Sequence, residues 1–242
     1  MSSTFHPPVR TLMGPGPSDV APRVLAASAR PTIGHLDPLF VGLMDDVKRL
    51  LQYAFQTKNE LTIPLSAPGS AGMEAAFVNL LECGDKVIVC QNGVFGGRMK
   101  ENVERCGATA IMVTDRWGDP VDPEKLEAAI KAHPDAKVVA FVHAETSTGV
   151  RSDAETLCRL AKSAGMLGIV DAVTSLAGID LKADAWGADV VYSGTQKCLS
   201  GLPGISPITF SDDAVSAIQA RTQKVFSLGL TVTVGMAVVT LV

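Results

Sequence analysis

A lysine stands alone in the stretch VVYSGTQKCLSGLPG, residues 190–204, where a β-branched run opens into a Ser/Gly-rich turn. That lysine, Lys197, has two chemical uses. It neutralises a phosphate or carboxylate, or its amine condenses with a carbonyl to a Schiff base. A second apolar run, GIV, delivers Asp171 directly at its end. A buried carboxylate needs a partner, and an N-cap or a hidden ion pair would satisfy it. Upstream, Gly69-Ser70-Ala71-Gly72 follows the first apolar run and opens a helical stretch. Small residues let backbone N–H groups approach an anion, and a helix dipole favours a phosphate there. The Walker lysine and the G-x-G-x-x-G spacing are absent, so a purely structural strand-to-helix turn fits the same four residues. After AFVH comes Ala144-Glu145-Thr146-Ser147-Thr148-Gly149, which offers hydroxyls on a glycine turn, and NGVFGG places Phe95 just past another run.

These clusters need a frame that gathers them. Apolar runs in GDKVIVCQNG, TAIMVT, AKVVAFVHA, MLGIVDAV and ADVVYSG read as strands. Between them, helical spacing predicts helices over 98–106, 122–132 and 152–164, with Ser152 as a possible N-cap of the last. Earlier, a short helix is predicted over 23–28, an amphipathic one over 36–55, and another from Met73 to Leu81. Continuous rather than alternating hydrophobicity marks strands buried on both faces. The fold class is therefore α/β, a mostly parallel sheet with helices on both faces. Ligands of such sheets sit at the carboxyl ends of the strands, where all the clusters above fall.

Bulk properties exclude other classes. The net charge of -4 and low aromatic content argue against a nucleic-acid partner. Five cysteines without a C-x-x-C and four scattered histidines point to neither a disulfide framework nor a metal site. Reduced thiols and an N-terminus without an apolar core suggest a cytoplasmic protein. Residues 225–242, VFSLGLTVTVGMAVVTLV, carry no charge. They just reach the length of a membrane span, but no basic flank supports one, and no membrane partner is expected. A buried strand pair or an unnatural chain end competes with that reading.

One cofactor asks for all the clusters together. Pyridoxal phosphate needs a lysine for its aldehyde, a carboxylate to keep its ring nitrogen protonated, and an anion cradle for its phosphate. Its flat ring needs a surface to lie on, and Phe95 is placed to stack on it. With this in view, the chain resembles the class V branch of fold-type I pyridoxal-phosphate enzymes, within it the alanine–glyoxylate and serine–pyruvate aminotransferases. The likeness rests on GPGPSDVAPRV, YAFQTKNELT, GSAGMEAAFVNLL, GDKVIVCQNGVFGGR, HAETSTGV, VDAVTSLAG and YSGTQKCL, and covers residues 11 to about 224.

The resemblance implies a fold-type I large domain and specific roles. Lys197 would bond the cofactor and move the substrate proton, with its pKa lowered beside the cationic ring. Asp171 would pair with the ring nitrogen. Phe95 and Val173 would pack on the two ring faces. Gly69 and Ser70 would donate to the phosphate, Gln196 would add a side-chain contact, and Thr146 would reach the phenolic oxygen. Family members often have serine at position 68; Pro68 has no N–H to give there. The implied reaction moves an amino group from alanine or serine to glyoxylate or pyruvate, in a homodimer. Another class V reaction, cysteine desulfuration or a lyase, and a non-catalytic remnant are the alternatives. Family members run on for well over a hundred residues, into a small domain with a carboxylate-binding arginine. The expected organisation is an arm over 1–30, a cofactor-binding domain over 31–224, and an atypical tail over 225–242 in place of that small domain. Cys198 is expected to be a packing residue and His143 a satisfied polar group, neither of them a catalyst.

Overall fold

The computed structural model describes residues 5–223. The apolar tail considered above lies outside the described residues. One seven-stranded sheet organises the chain, in the order β1-β7-β6-β5-β4-β2-β3. Its strands are β1 (Leu61–Leu65), β2 (Lys86–Gln91), β3 (Thr109–Thr114), β4 (Val138–Val142), β5 (Leu167–Asp171), β6 (Val190–Tyr192) and β7 (Ser206–Phe210). Strands β2 to β6 run parallel to one another, while β7 is antiparallel to both β1 and β6. The sheet is thus mostly parallel, with one reversed strand set between β1 and β6.

Alternation along each strand sorts side chains onto two cores. In β4, Val138, Ala140 and Val142 face one core, and Val139 and Phe141 the other. The helices α3 (Gly69–Leu80), α4 (Val94–Arg105) and α8 (Asp212–Gln219) cover the first face, with Phe77, Met99 and Ile218. On the second lie α5 (Pro123–Ala132), α6 (Ala154–Ser163) and α7 (Ala183–Trp186), with Leu126, Leu157 and Trp186. That double covering is why the strand sequences read as unbroken apolar runs.

Two helices precede the sheet, α1 (Pro22–Ser28) and α2 (Pro38–Phe55). In α2 only Phe55 is buried; Leu39, Leu43, Leu50 and Tyr53 of its apolar set are exposed. Three helix starts differ from the sequence expectation, the first being α3, which begins at Gly69 rather than Met73. The N-cap of α6 is Asp153, whose carboxylate accepts from the Thr156 N–H at 3.2 Å. Ser152 is buried instead, its hydroxyl accepting from the Val121 N–H at 3.2 Å. Helix α4 starts at Val94 rather than near Arg98. A Cβ on Gly96 would lie 2.7 Å from Gln91 Cα, so the low-propensity glycines are what let this first turn sit on β2. Among the described residues, no helix is long and apolar enough to cross a membrane, and no group of three His, Cys, Asp or Glu could hold a metal ion.

Candidate active site

Asp171 ends β5, and Tyr192 ends the neighbouring β6 opposite it in register. Both side chains therefore project to the α3/α4 face. The Tyr192 hydroxyl donates to Asp171 Oδ2 at 2.9 Å, and the Val173 N–H donates to Oδ1 at 2.9 Å. Asp171 is 2% exposed. Burial pushes its carboxyl up to about 6. The negative charge of Glu145 adds to that push, while the two hydrogen bonds and the Lys197 ammonium oppose it.

The N-terminus of α3 faces the same space. A helix leaves its first N–H groups without intrahelical partners, and here Pro68 at the N-cap supplies no side-chain oxygen to meet them. Gly69 is needed for close approach. A Cβ there would lie 3.1 Å from Val173 Cγ2 and 3.4 Å from the Ser193 carbonyl oxygen.

Phe95 sits in the first turn of α4, with the Arg98 guanidinium over its ring, 4.8 Å from the centroid. A buried carboxylate fixes that turn. Glu145 accepts from the Phe95 N–H at 3.3 Å and from the Ser147 hydroxyl at 2.7 Å. It lies so close to Gly93 that a Cβ there would be 2.3 Å from Glu145 Cγ.

Lys197 projects from the connection between β6 and β7. That loop is knit by bonds such as Thr195 N–H to the Ile205 carbonyl, 3.1 Å, and Gly201 N–H to the Thr195 carbonyl, 2.8 Å. The N-terminal arm lies across it. Ser18 donates from its hydroxyl to the Lys197 carbonyl at 2.8 Å and from its N–H to the Gln196 carbonyl at 2.9 Å. Lys197 Nζ itself donates to the Pro15 carbonyl at 2.9 Å.

One cavity of about 170 Å³ brings together Asp171, Lys197, Gly69, Ser70, Phe95, Val173 and Gln196. The remaining expected residue, Thr146, does not line it. Its hydroxyl donates to that of Thr174 at 3.3 Å, and it lines a neighbouring cavity of about 370 Å³. Lys197 borders both spaces, and Gly14, Pro15, Gly16 and Ser18 of the arm border the second. Sequence reasoning missed Arg98 in the cavity wall, Tyr192 and Glu145 behind it, and the arm above Lys197. The readable signal for Tyr192 was that VVY and IVD end adjacent parallel strands.

The residues present fit pyridoxal phosphate. Acidic, amine and N–H groups stand around one small cavity, and the cradle at Gly69 is one that a Cβ would fill. The buried Oε1 of Gln196 in its wall has no partner among the described residues.

Comparison with known proteins bears on the family and the fold. A profile of the family described as aminotransferase class-V matches residues 23–229. The chain is similar to the alanine–glyoxylate aminotransferase of Rattus norvegicus, 39% identical over 224 residues, covering 93% of this chain and 54% of the rat protein. It is also similar to the (S)-ureidoglycine–glyoxylate transaminase of Bacillus subtilis strain 168, 39% identical, covering 88% of this chain and 51% of that one. Among solved structures, an alanine–glyoxylate aminotransferase from Nostoc sp. superposes with a TM-score of 0.92 at 42% identity, covering 95% of this chain and 61% of that one. The chain spans about half the length of the curated relatives it matches.

Proposed function

The chain belongs to the class-V aminotransferase family, and from that premise we propose that it is the cofactor-binding part of a transaminase using pyridoxal phosphate. The observation that carries this reading is the convergence of Asp171, Lys197 and the N-terminus of α3 on one cavity. The amino acceptor is a small 2-oxo acid, glyoxylate or pyruvate, and the donor is alanine or serine. Relatives with different donors in their names share glyoxylate as the named acceptor, which supports that choice.

Bound pyridoxal phosphate supplies an electron sink for the pair left when an amino acid loses its Cα proton. This chain's residues do the rest. Lys197 Nζ would hold the cofactor at its carbonyl carbon, and as a free amine would carry the substrate proton. The Asp171 carboxylate keeps a proton on the ring nitrogen opposite, an opposite charge that favours its own ionised form at neutral pH. Gly69 and Ser70 N–H groups and the positive end of α3 receive the phosphate. Val173 and Phe95 exclude water from the ring faces.

Two copies pair around the apolar residues of α2 and the arm. Leu39 at 78% and Tyr53 at 75% exposure support an interface there. The five cysteines are free, which suits a reducing compartment such as the cytoplasm.

The test is spectroscopic. Purified protein mixed with pyridoxal phosphate should acquire a visible absorption band that Lys197→Ala lacks, and alanine should bleach it. Identical spectra for wild type and Lys197→Ala would overturn the assignment.

A further inference from the structure

Tyr192 has no place in the roles assigned so far, although it is fully buried and its hydroxyl meets the carboxylate at the centre of the site. We infer that Tyr192 is a positioning residue: its hydroxyl holds Asp171 in the ionised form and in the orientation that receives a protonated ring nitrogen. The inference rests on the cofactor reading above and deepens it.

Geometry carries the argument. Strand register places Tyr192 beside Asp171, and their side chains share a face. The phenol is enclosed, Tyr192 being fully buried. A Cβ on Gly72 of α3 would already lie 3.3 Å from Tyr192 Cβ, so the helix rests on this side chain. With the Val173 N–H on Oδ1 and the phenol on Oδ2, both carboxylate oxygens are held, and the carboxyl plane is fixed. A buried phenol must find some partner, and any acceptor would satisfy that need. Here the acceptor is the carboxylate that the cofactor reading requires to be charged.

The charged groups around Asp171 show why a donor matters. From the segment after β4, Glu145 faces it with a like charge, and burial already opposes ionisation. Lys197, from the loop after β6, favours the charge. Arg98 of α4 borders the cavity but lies over the Phe95 ring. Ser70 and Met73 of α3 bring no charge. The His143 ring packs edge-on against Trp186, on the far side of the sheet. Lys197 makes no hydrogen bond to Asp171, its Nζ donating instead to the Pro15 carbonyl. The Tyr192 hydroxyl and Val173 N–H then remain the carboxylate's protein donors among the described residues.

The experiment measures pyridoxal phosphate dissociation constants from pH 5.5 to 8.5 for the full 242-residue chain. In wild type, affinity should fall as Asp171 takes up a proton. Tyr192→Phe keeps the ring's packing and removes only the donor, and its fall should begin about one pH unit higher, the order set by one lost hydrogen bond to a carboxylate. Wild type and variant should converge at the alkaline end. A uniform loss at every pH would mean that Tyr192 merely packs, and would overturn the inference. So would coincident midpoints. In an Asp171→Asn background, Tyr192→Phe should add no further pH shift; if it does, the coupling is not through Asp171. The free cofactor's own ionisations are common to all variants and cancel.

Should Tyr192→Phe fail to fold, fluorinated tyrosine replaces it. The chain has two tyrosines, so uniform incorporation in a Tyr53→Phe background labels position 192 alone. Its more acidic phenol donates more strongly and should move the midpoint downward; an unmoved midpoint again overturns the inference. If wild type binds no pyridoxal phosphate at any pH, the cofactor reading itself fails. If wild type binds and the midpoints coincide, only the role of Tyr192 falls.

Discussion

Asp171 is held where its own charge is unwelcome, and that has a measurable cost in the cofactor-free protein. Its carboxyl is raised on folding from the ordinary value near 4 to about 6. A group raised in this way stabilises the fold below the unfolded value and loses that contribution as pH rises through the folded one. Asp171→Asn should therefore be about 1–3 kcal/mol more stable than wild type near pH 8, with the gap closing by pH 4. Denaturant midpoints across that range would show it. Added pyridoxal phosphate should stabilise wild type more than Asp171→Asn, working against that order. His143 runs the opposite way. Burial, assisted by the Arg151 charge, lowers it from 6.5 to about 4. Its contribution is complete above pH 6.5 and is lost as pH falls toward 4, by at most about 3 kcal/mol. Wild type should thus lose stability relative to His143→Gln over that window. The two slopes oppose one another between pH 4 and 6, so the single variants are needed to separate them.

At the scale of elements, the seat of α3 decides where the proposed phosphate cradle lies. Gly72 is the contact point: a Cβ there would be 2.1 Å from Ser206 Oγ. Gly72→Ala should lift the helix, costing about 1–3 kcal/mol as an overpacked contact. Because Gly69 and Ser70 ride on the same helix, pyridoxal phosphate affinity should fall with stability, and thermal shifts with and without cofactor would report both. Intact affinity in a destabilised variant would separate seat from cradle. Much of this frame was legible in the sequence. The run AKVVAFVHA becomes β4 because both its faces are covered, whereas TAIMVT becomes β3 at the sheet's edge with only Val113 buried, and Asp-Pro at 122–123 starts α5 as that pairing predicts. Strand β7, SPITF, was not legible. It is short, holds Pro207 as its second residue, and owes its burial to partners distant in sequence. The site divides similarly. Strand-end chemistry pointed to Asp171 and Lys197, whereas Glu145, Arg98 and the arm depend on contacts that no local pattern encodes.

For the whole molecule, the apolar surface of α2 bears on self-association. Leu39 and Tyr53 are exposed, so Leu39→Glu with Tyr53→Glu should change monomer stability by no more than about 0.5 kcal/mol each. If two copies pair through this helix, sedimentation of wild type should show a concentration-dependent dimer that the double variant loses. An unchanged mass would place the proposed interface elsewhere. The arm responds differently. Gly16 has φ of +132°, and a Cβ would fall 2.5 Å from Lys197 Cδ, so Gly16→Ala should free the lysine and speed cofactor capture in stopped-flow mixing.

The reversed strand also sets an order of events during synthesis. Leu61 pairs with Phe210 and Leu65 with Ser206, so the ribosome must release almost the whole described chain before β1 finds its neighbour. The connection bearing Lys197 becomes anchored at both feet by that same late addition. A nascent chain stalled short of residue 206 would hold Asp171 on a formed strand yet present its lysine on a loose end, and should not turn yellow with added vitamin.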